Sequence, residues 1–367
     1  VSATQQGTVL VVGASGLVGA ASVEAFSRNG WDVIAMSRRR PEVEPGTRFR
    51  HVAVDLRDAA ATRAAVISPE LRGVTHVVYT AVHEKPGLVR GWRDEDQMRT
   101  NLIMLQNLLD PLCDNGRLEH VTLLQGTKAY GVHLHPIRVP ARERHPRDEH
   151  PNFYWLHEDH LRRKAEETGL RWTILRPQLV VGPTHGVAMN LPPVIGAYAA
   201  VCRELGVPFA FPGGAAYVTE AVDVRIVADA AVWAATAPQA WGEHFNLTNG
   251  EVFGWRDLWP ALAEELGVET GPDEPRRLAQ FLPEHEAEWD AAVRRHGLRP
   301  LRLAELLGES HFYADFCFAA GAEQAPPPAF VSVVKAMQAG FTRTCDTELS
   351  FRHWLRALVK SKVIPGG

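Results

Sequence analysis

Through the first half of the chain, short apolar runs rich in β-branched residues alternate with longer stretches whose apolar positions recur at helical spacing. The runs at 8–12, 32–36, 50–54, 76–80, 120–124 and 171–175 read as buried strands, and 20–29, 97–109 and 155–168 as the helices between them. Strand–helix–strand repetition predicts an α/β fold with a doubly wound parallel sheet. Such sheets bind ligands at the carboxyl ends of their strands, so the residues just after each run are the candidates for function.

The pattern changes after Gly182. Residues 183–214 are rich in proline and glycine, with one helical stretch at 193–205, and 243–247 reads as a strand returning to the sheet. From 253 onward the chain is mostly helical, with Trp255, Trp259, Trp289 and Trp354 as large apolar bodies. The expected division is a dinucleotide-binding domain at 1–188 and 219–250, and a smaller, mostly helical substrate-binding cap at 189–218 and 251–367. The polar segment 269–277 and the proline-rich segment 323–328 read as mobile loops.

Gly13-Ala14-Ser15-Gly16-Leu17-Val18-Gly19 lies between the first strand and a helix. There the glycines let backbone approach a pyrophosphate, and the helix start offers free N–H groups and a positive dipole end. This makes the sheet Rossmann-type and gives Gly13, Ser15, Gly16, Leu17, Val18 and Gly19 as cofactor contacts. The second strand ends in Ser37-Arg38-Arg39-Arg40, with no acid to bind a ribose 2′-hydroxyl. Arginines suit a 2′-phosphate, so the cofactor is expected to be NADP(H), with Ser37, Arg38 and Arg39 around that phosphate. Asp55 is a candidate acceptor for the adenine amino group or, equally, a helix N-cap. Other strand ends add Leu56, Thr80, Ala81, Gln125, Val180 and Met189 to the expected contacts.

Composition narrows the partners. The chain has 367 residues, 46% hydrophobic, and a formal net charge of −4, which gives no reason to expect nucleic acid or an anionic membrane. No apolar run approaches the ~20 residues of a membrane span, and residues 1–8 lack a signal-peptide pattern. Four scattered cysteines, none in a Cys-x-x-Cys pair, fit free thiols in a reducing cytoplasm. Heavy alanine and arginine usage points to a GC-rich bacterial genome. A homodimer is left open.

Short-chain dehydrogenases use a Ser or Thr, a Tyr, and a Lys four residues after the Tyr. Here the Tyr-Gly pair at Tyr130-Gly131 has Gly126, not Ser or Thr, four residues before the Tyr. A second tyrosine, Tyr154, is followed four residues later by Glu158. A cation is available instead at Lys128, on the loop after the fifth strand.

Gln125-Gly126-Thr127-Lys128-Ala129-Tyr130 together with Asn152-Phe153-Tyr154-Trp155-Leu156-His157-Glu158-Asp159 resembles the progesterone 5β-reductase/iridoid synthase-like family, an atypical branch of the extended short-chain dehydrogenases. The resemblance runs on through Arg176-Pro177, Gly182, Met189-Asn190, residues 249–255 and 262–268, Trp289, 296–298 and Val363-Ile364-Pro365. It implies NADPH-dependent 1,4-reduction of an enone or enal. Hydride goes to the β-carbon, Tyr154 hydrogen-bonds the carbonyl oxygen, and Lys128 adds positive charge that favours tyrosinate or enolate. The chain departs from the family pattern at Trp155, which replaces a second Tyr. It also departs at Val82-His83, where a substrate-facing Trp is frequent, and in a shortened 131–151 segment.

These residues predict a mainly apolar pocket for a small hydrophobic carbonyl compound. Tyr154 and Lys128 are its principal polar groups, and Val82, His83, Trp155, Met189, Phe312 and Tyr313 line it. Phe312 and Tyr313 are either a gate over substrate or simple packing. His157 and His160 are three apart, which is wrong for a zinc helix and reads as a solvated face, so no metal is expected. His133 and His135 read as substrate-contacting or solvated in preference to metal-binding. The competing functions are a 1,2-carbonyl reductase on the same site and a non-catalytic NADP-binding redox sensor, which would have no need of the Tyr154 and Lys128 pair.

Overall fold

A computed structural model describes residues 6–367, so part of the 1–8 stretch read above lies outside the described residues. Among the described residues eleven strands are formed: β1 (Gln6–Val12), β2 (Trp31–Met36), β3 (Arg50–Val52), β4 (Val74–Tyr79), β5 (His120–Leu124), β6 (Arg171–Pro177), β7 (Leu179–Val181), β8 (Val218–Thr219), β9 (Ala221–Asp223), β10 (Glu243–Leu247) and β11 (Phe253–Gly254). Seven of them make one sheet in the order β10-β6-β5-β4-β1-β2-β3, with every pairing parallel. Val9, Leu10, Val11 and Val12 of β1 are all sealed from solvent, as expected for a central strand covered on both faces. The strand order reverses between β1 and β4, which opens a crevice above their carboxyl ends.

Helix α1 (Leu17–Arg28) packs on α6 (Val224–Thr236) on one face, where Val23, Phe26, Ile226 and Ala230 meet β1 and β2. On the other face α2 (Ala59–Ile67), α3 (Glu95–Asp114) and α4 (Phe153–Thr168) pack in sequence, with Leu105, Leu109 and Leu161 in the core. Asp94 caps α3 by accepting from Gln97 N at 2.8 Å, and Gly169 ends α4 at a φ of +76°, a left-handed turn that glycine adopts without strain.

The third core is built from α5 (Leu191–Leu205), α7 (Trp255–Leu266), α8 (Leu278–Glu284), α9 (Glu286–His296), α10 (Leu303–Leu307), α11 (Ser310–Cys317) and α13 (Thr347–Lys360). Trp255, Trp259, Trp289 and Trp354 are all buried in it, with Trp259 stacked on Phe209 at 4.5 Å. This core also takes in Val181 and Ala221. One segment assigned to the cap by sequence packs elsewhere. Helix α12 (Val334–Gln338) lies on β10, because Ala336 and Phe341 fit the apolar surface of Trp233 and Phe245. No helix among the described residues is long and apolar enough to cross a membrane. Segments 269–277 and 323–328 carry neither strand nor helix, and Arg277 is the N-cap of α8.

Candidate active site

A cleft of about 1800 Å3 runs from the β1–α1 turn across the strand ends to α11. At one end the backbone itself makes the cradle. Gly13 has a φ of +80°, and a Cβ there would stand 2.6 Å from Ala81 N. A Cβ on Gly19 would collide with Gly13 O, so Gly19 permits helix and turn to approach and does not itself line the cleft. Gly16 is the N-cap of α1, and no acid stands in the first turn, so the free N–H groups and dipole are left for an anion. Ser15, Leu17 and Val18 line the cleft beside them.

Ser37, Arg38 and Arg39 line the cleft past β2, and Ser37 Oγ donates to Arg39 O at 2.6 Å, which fixes the turn. Among the described residues no carboxylate lies within 4.0 Å of Arg38 or Arg39, so both guanidinium groups are free to meet a phosphate. Asp55 is not a helix cap; Asp58 caps α2. Asp55 instead holds Arg57 at 2.6 Å, and that hydrogen-bonded arginine pulls its carboxyl down to about 2. Arg57 is thus a third cation at this end of the cleft, unseen in the sequence because it follows a strand end by several residues. Leu56, Thr80, Ala81, Gln125, Val180 and Met189 also line the cleft. The bare Gly13 turn, the uncapped helix start and the unpaired arginines fit a dinucleotide with a 2′-phosphate.

Tyr154 lies in the first turn of α4, and Lys128 on the 3-10 turn Thr127–Tyr130 after β5. Asn152 joins the two. Its Oδ1 accepts from Tyr154 N at 3.0 Å and its Nδ2 donates to Lys128 O at 3.3 Å. The Tyr154 hydroxyl sits over Gly126, where a Cβ would stand only 3.2 Å away. Thus the position that lacks Ser or Thr is the space the hydroxyl uses. Lys128 Nζ lies 4.2 Å over the Trp92 ring and 5.8 Å from the Tyr154 ring centre.

Burial pushes the Tyr154 phenol far above its ordinary pKa; Glu84 adds to this and Arg176 opposes it. Burial thus favours the protonated phenol over tyrosinate. Burial also lowers Lys128, and Glu84 resists that shift.

Glu158 faces away from the cleft. It accepts from Gln125 Nε2 at 3.0 Å and pairs with Arg162, Arg147, Arg176 and His244. Burial alone would raise its pKa, but His244, Gln125 and Arg176 outweigh that and hold it well below the carboxylate range. Gln125 Nε2 also donates to Tyr154 O at 3.3 Å, so this network braces the start of α4.

Val82, His83, Met189, Phe312 and Tyr313 line the cleft as expected, but Trp155 does not. One residue on from Tyr154 is about 100° around a helix, and Trp155 lies buried against the guanidinium groups of Arg147 and Arg176. The wall has an indole all the same, from Trp92. The histidine face of α4 is not solvated. His157 is bonded to Asn101 O at 2.8 Å and His160 to Asp110 at 2.8 Å, both buried against α3. His133 lines the cleft beside Trp92; burial, then Lys128 and His150, hold it at about 4, so it is neutral. His135 also lines the cleft, and pairs with Asp148. The cleft is more polar than the sequence indicated, since Glu84, His133 and Arg277 join Tyr154 and Lys128.

Residues 9–248 match the profile of the NAD dependent epimerase/dehydratase family. Proteins similar in sequence include an (S)-8-oxocitronellyl enol synthase of Antirrhinum majus, 29% identical over 100% of this chain and 95% of that protein. Another is (S)-8-oxocitronellyl enol synthase ISY2 of Nepeta cataria, 30% identical over 98% of this chain and 92% of that protein. Both are plant proteins and do not bear on a bacterial source. Among solved structures, the UDP-glucose 4-epimerase of Thermotoga maritima superposes with a TM-score of 0.68 at 18% identity, over 96% of this chain and 99% of that one. The Bordetella bronchiseptica enzyme WbmH, in complex with NAD+, gives 0.66 at 18% identity, over 98% and 100%.

Proposed function

The chain belongs to the NAD-dependent epimerase/dehydratase family, and on that premise we propose that it is an NADPH-dependent reductase of activated carbon–carbon double bonds. Membership makes it an NAD(P)-dependent oxidoreductase of the extended short-chain dehydrogenase class. The choice of NADPH, the alkene substrate and the roles of individual residues belong to the proposal. The observation that carries it is the Tyr154 hydroxyl over bare Gly126, beside Lys128, in the cleft that the Gly13 turn opens. The similar plant proteins are named enol synthases, and an enol is what 1,4-addition of hydride to an enal leaves.

Gly13, Gly16 and the α1 start would hold the pyrophosphate, and Arg38, Arg39 and Arg57 the 2′-phosphate. When bound, NADPH supplies the hydride. Tyr154 donates a hydrogen bond to the substrate carbonyl oxygen, which draws electron density from the β-carbon. That bond strengthens as charge gathers on the oxygen, and a donor of this kind contributes ~2.7–4 kcal/mol of barrier lowering. The Lys128 ammonium places positive charge beside the same oxygen. Phe312, Tyr313 and Met189 give the substrate apolar walls and keep water from the enolate.

NADPH oxidation with cyclic enones, open-chain enals and saturated aldehydes, with product analysis, tests the reading. Turnover of enones or enals to saturated carbonyls or their enols is expected. Reduction of saturated aldehydes to alcohols with enones inert would overturn it in favour of 1,2-reduction.

A further inference from the structure

Glu84 follows β4 in a segment without helix or strand, and its side chain is only 5% exposed. Its Oε2 accepts from Gln97 Nε2 at 2.6 Å. Gln97 is itself fixed, because its Oε1 accepts from Lys85 N at 2.7 Å and its own N donates to Asp94 at 2.8 Å. The other carboxylate oxygen, Oε1, is sealed from solvent with no hydrogen-bond partner and faces Lys128 Nζ at 4.0 Å. Among the described residues no second carboxylate lies within 4.0 Å of Lys128.

We propose that Glu84 is a positioning residue of the site: its carboxylate is the counter-ion that keeps Lys128 charged and held beside Tyr154. This rests on the role given to Lys128 above. A buried ammonium or a buried carboxylate alone tends to neutralise; burial raises Glu84 and lowers Lys128, and each charge opposes the shift of the other. The Trp92 ring, 4.2 Å under Nζ, also favours the cation.

The other groups around the pair do not supply that charge. Gln97 comes from α3 and is neutral, and Tyr154 from α4 is a protonated phenol. His133 is neutral, Arg176 acts on Tyr154 from β6, and Lys85 turns outward to Asp94 and Asp96. Burial lowers Lys128 and Glu84 opposes it, so removing the carboxylate charge lets the ammonium deprotonate at lower pH.

The chain has six lysines, so 13C labelling at the lysine ε-carbon gives few signals, and Lys128 is the one lost in Lys128→Arg. Its titration is followed in the wild type, Glu84→Gln and Glu84→Asp, with no substrate present. The Lys128 midpoint should fall by about one pH unit or more in Glu84→Gln, and by less in Glu84→Asp, which keeps the charge farther away. The alkaline limb of enone turnover should move down with it. A Lys128 midpoint unmoved in both variants overturns the proposal, even where the wild type reduces enones. A lowered midpoint in a protein that turns over no enone or enal supports the pair and overturns the reductase reading alone. Should Glu84→Gln not fold, Glu84→Asp by itself decides: a lowered midpoint supports the pair and an unchanged one overturns it.

Discussion

Replacing Gly126 by alanine tests where the Tyr154 hydroxyl acts. Gly126 has a φ of −169°, extended backbone that any residue adopts, so the substitution carries no backbone strain. The added Cβ meets Pro177 O at 3.7 Å, an ordinary contact, but the Tyr154 hydroxyl at 3.2 Å, which is tight. The ring must therefore yield by a few tenths of an ångström. A misplacement of about 1 Å costs roughly 10²-fold in a positioned reaction, so about a tenfold loss of kcat is expected. Single-turnover loss of NADPH absorbance with an enone measures it, with NADPH Kd and thermal unfolding as controls that should not move. The same alanine placed in Tyr154→Phe meets no hydroxyl and should cost little, giving a coupling of about 1.4 kcal/mol between the two positions. Full activity in Gly126→Ala, or losses that simply multiply, would refute the placement of the hydroxyl at the reacting oxygen.

Three further outcomes follow from the same geometry. NADPH should bind at least about tenfold more tightly than NADH, through bidentate guanidinium contacts. Arg38→Ala combined with Arg39→Ala should erase the difference, and equal wild-type affinities would sink the 2′-phosphate assignment. Tyr154→Phe should lower kcat for an enone by roughly 10²-fold while NADPH Kd stays within error; undiminished turnover would exclude Tyr154 as the donor. Glu158→Gln should spare hydride transfer but cost about 3–5 kcal/mol in a urea titration at pH 7, because it leaves Arg176 buried without its anion. Since the folded Glu158 pKa is depressed, its contribution is full above the unfolded value near ~4.3 and is lost as pH falls toward the folded one, so the gap to wild type should begin to narrow at about pH 4. A gap that widens in acid would contradict that sign.

The sheet was legible because its strands are buried on both faces and read as unbroken apolar runs, and because the Gly13–Gly19 turn has to sit where the first of them ends. Boundaries moved by a few residues: 50–54 contracts to Arg50–Val52 and 97–109 grows to Glu95–Asp114. The sites of Tyr154 and Lys128 were visible as residues, but their relation to Gly126 was not, since it depends on how α4 meets the turn after β5. Trp155 shows the limit of reading neighbours together. On a helix the residue next to a cleft-facing one turns out of the cleft, and Trp155 packs with Arg147 and Arg176. Arg57, Glu84 and Trp92 went unread for a different reason. Arg57 and Glu84 lie in irregular connections and Trp92 in a 3-10 turn of six residues, too short for a period to mark an inward face, and only the folded chain brings Trp92 and Glu84 to Lys128.

The exchange of Lys for Glu four residues after the tyrosine then has a structural reason. Position 158 lies beneath Tyr154 against β6 and β10, where the guanidinium groups of Arg176, Arg147 and Arg162 already converge, so a lysine there would add one more cation to them. Glutamate balances that cluster and, through Gln125, braces the Tyr154 backbone. The positive charge needed near the substrate oxygen comes instead from the turn after β5, and that choice sets its own condition. A lysine at 128 is buried among Trp92, Tyr154 and His133, and its only facing carboxylate among the described residues is Glu84. Tyrosine and lysine are joined through Asn152 but lean on different carboxylates, which is why Glu158→Gln and Glu84→Gln should fail differently: the first in stability, the second in the pH at which Lys128 gives up its proton.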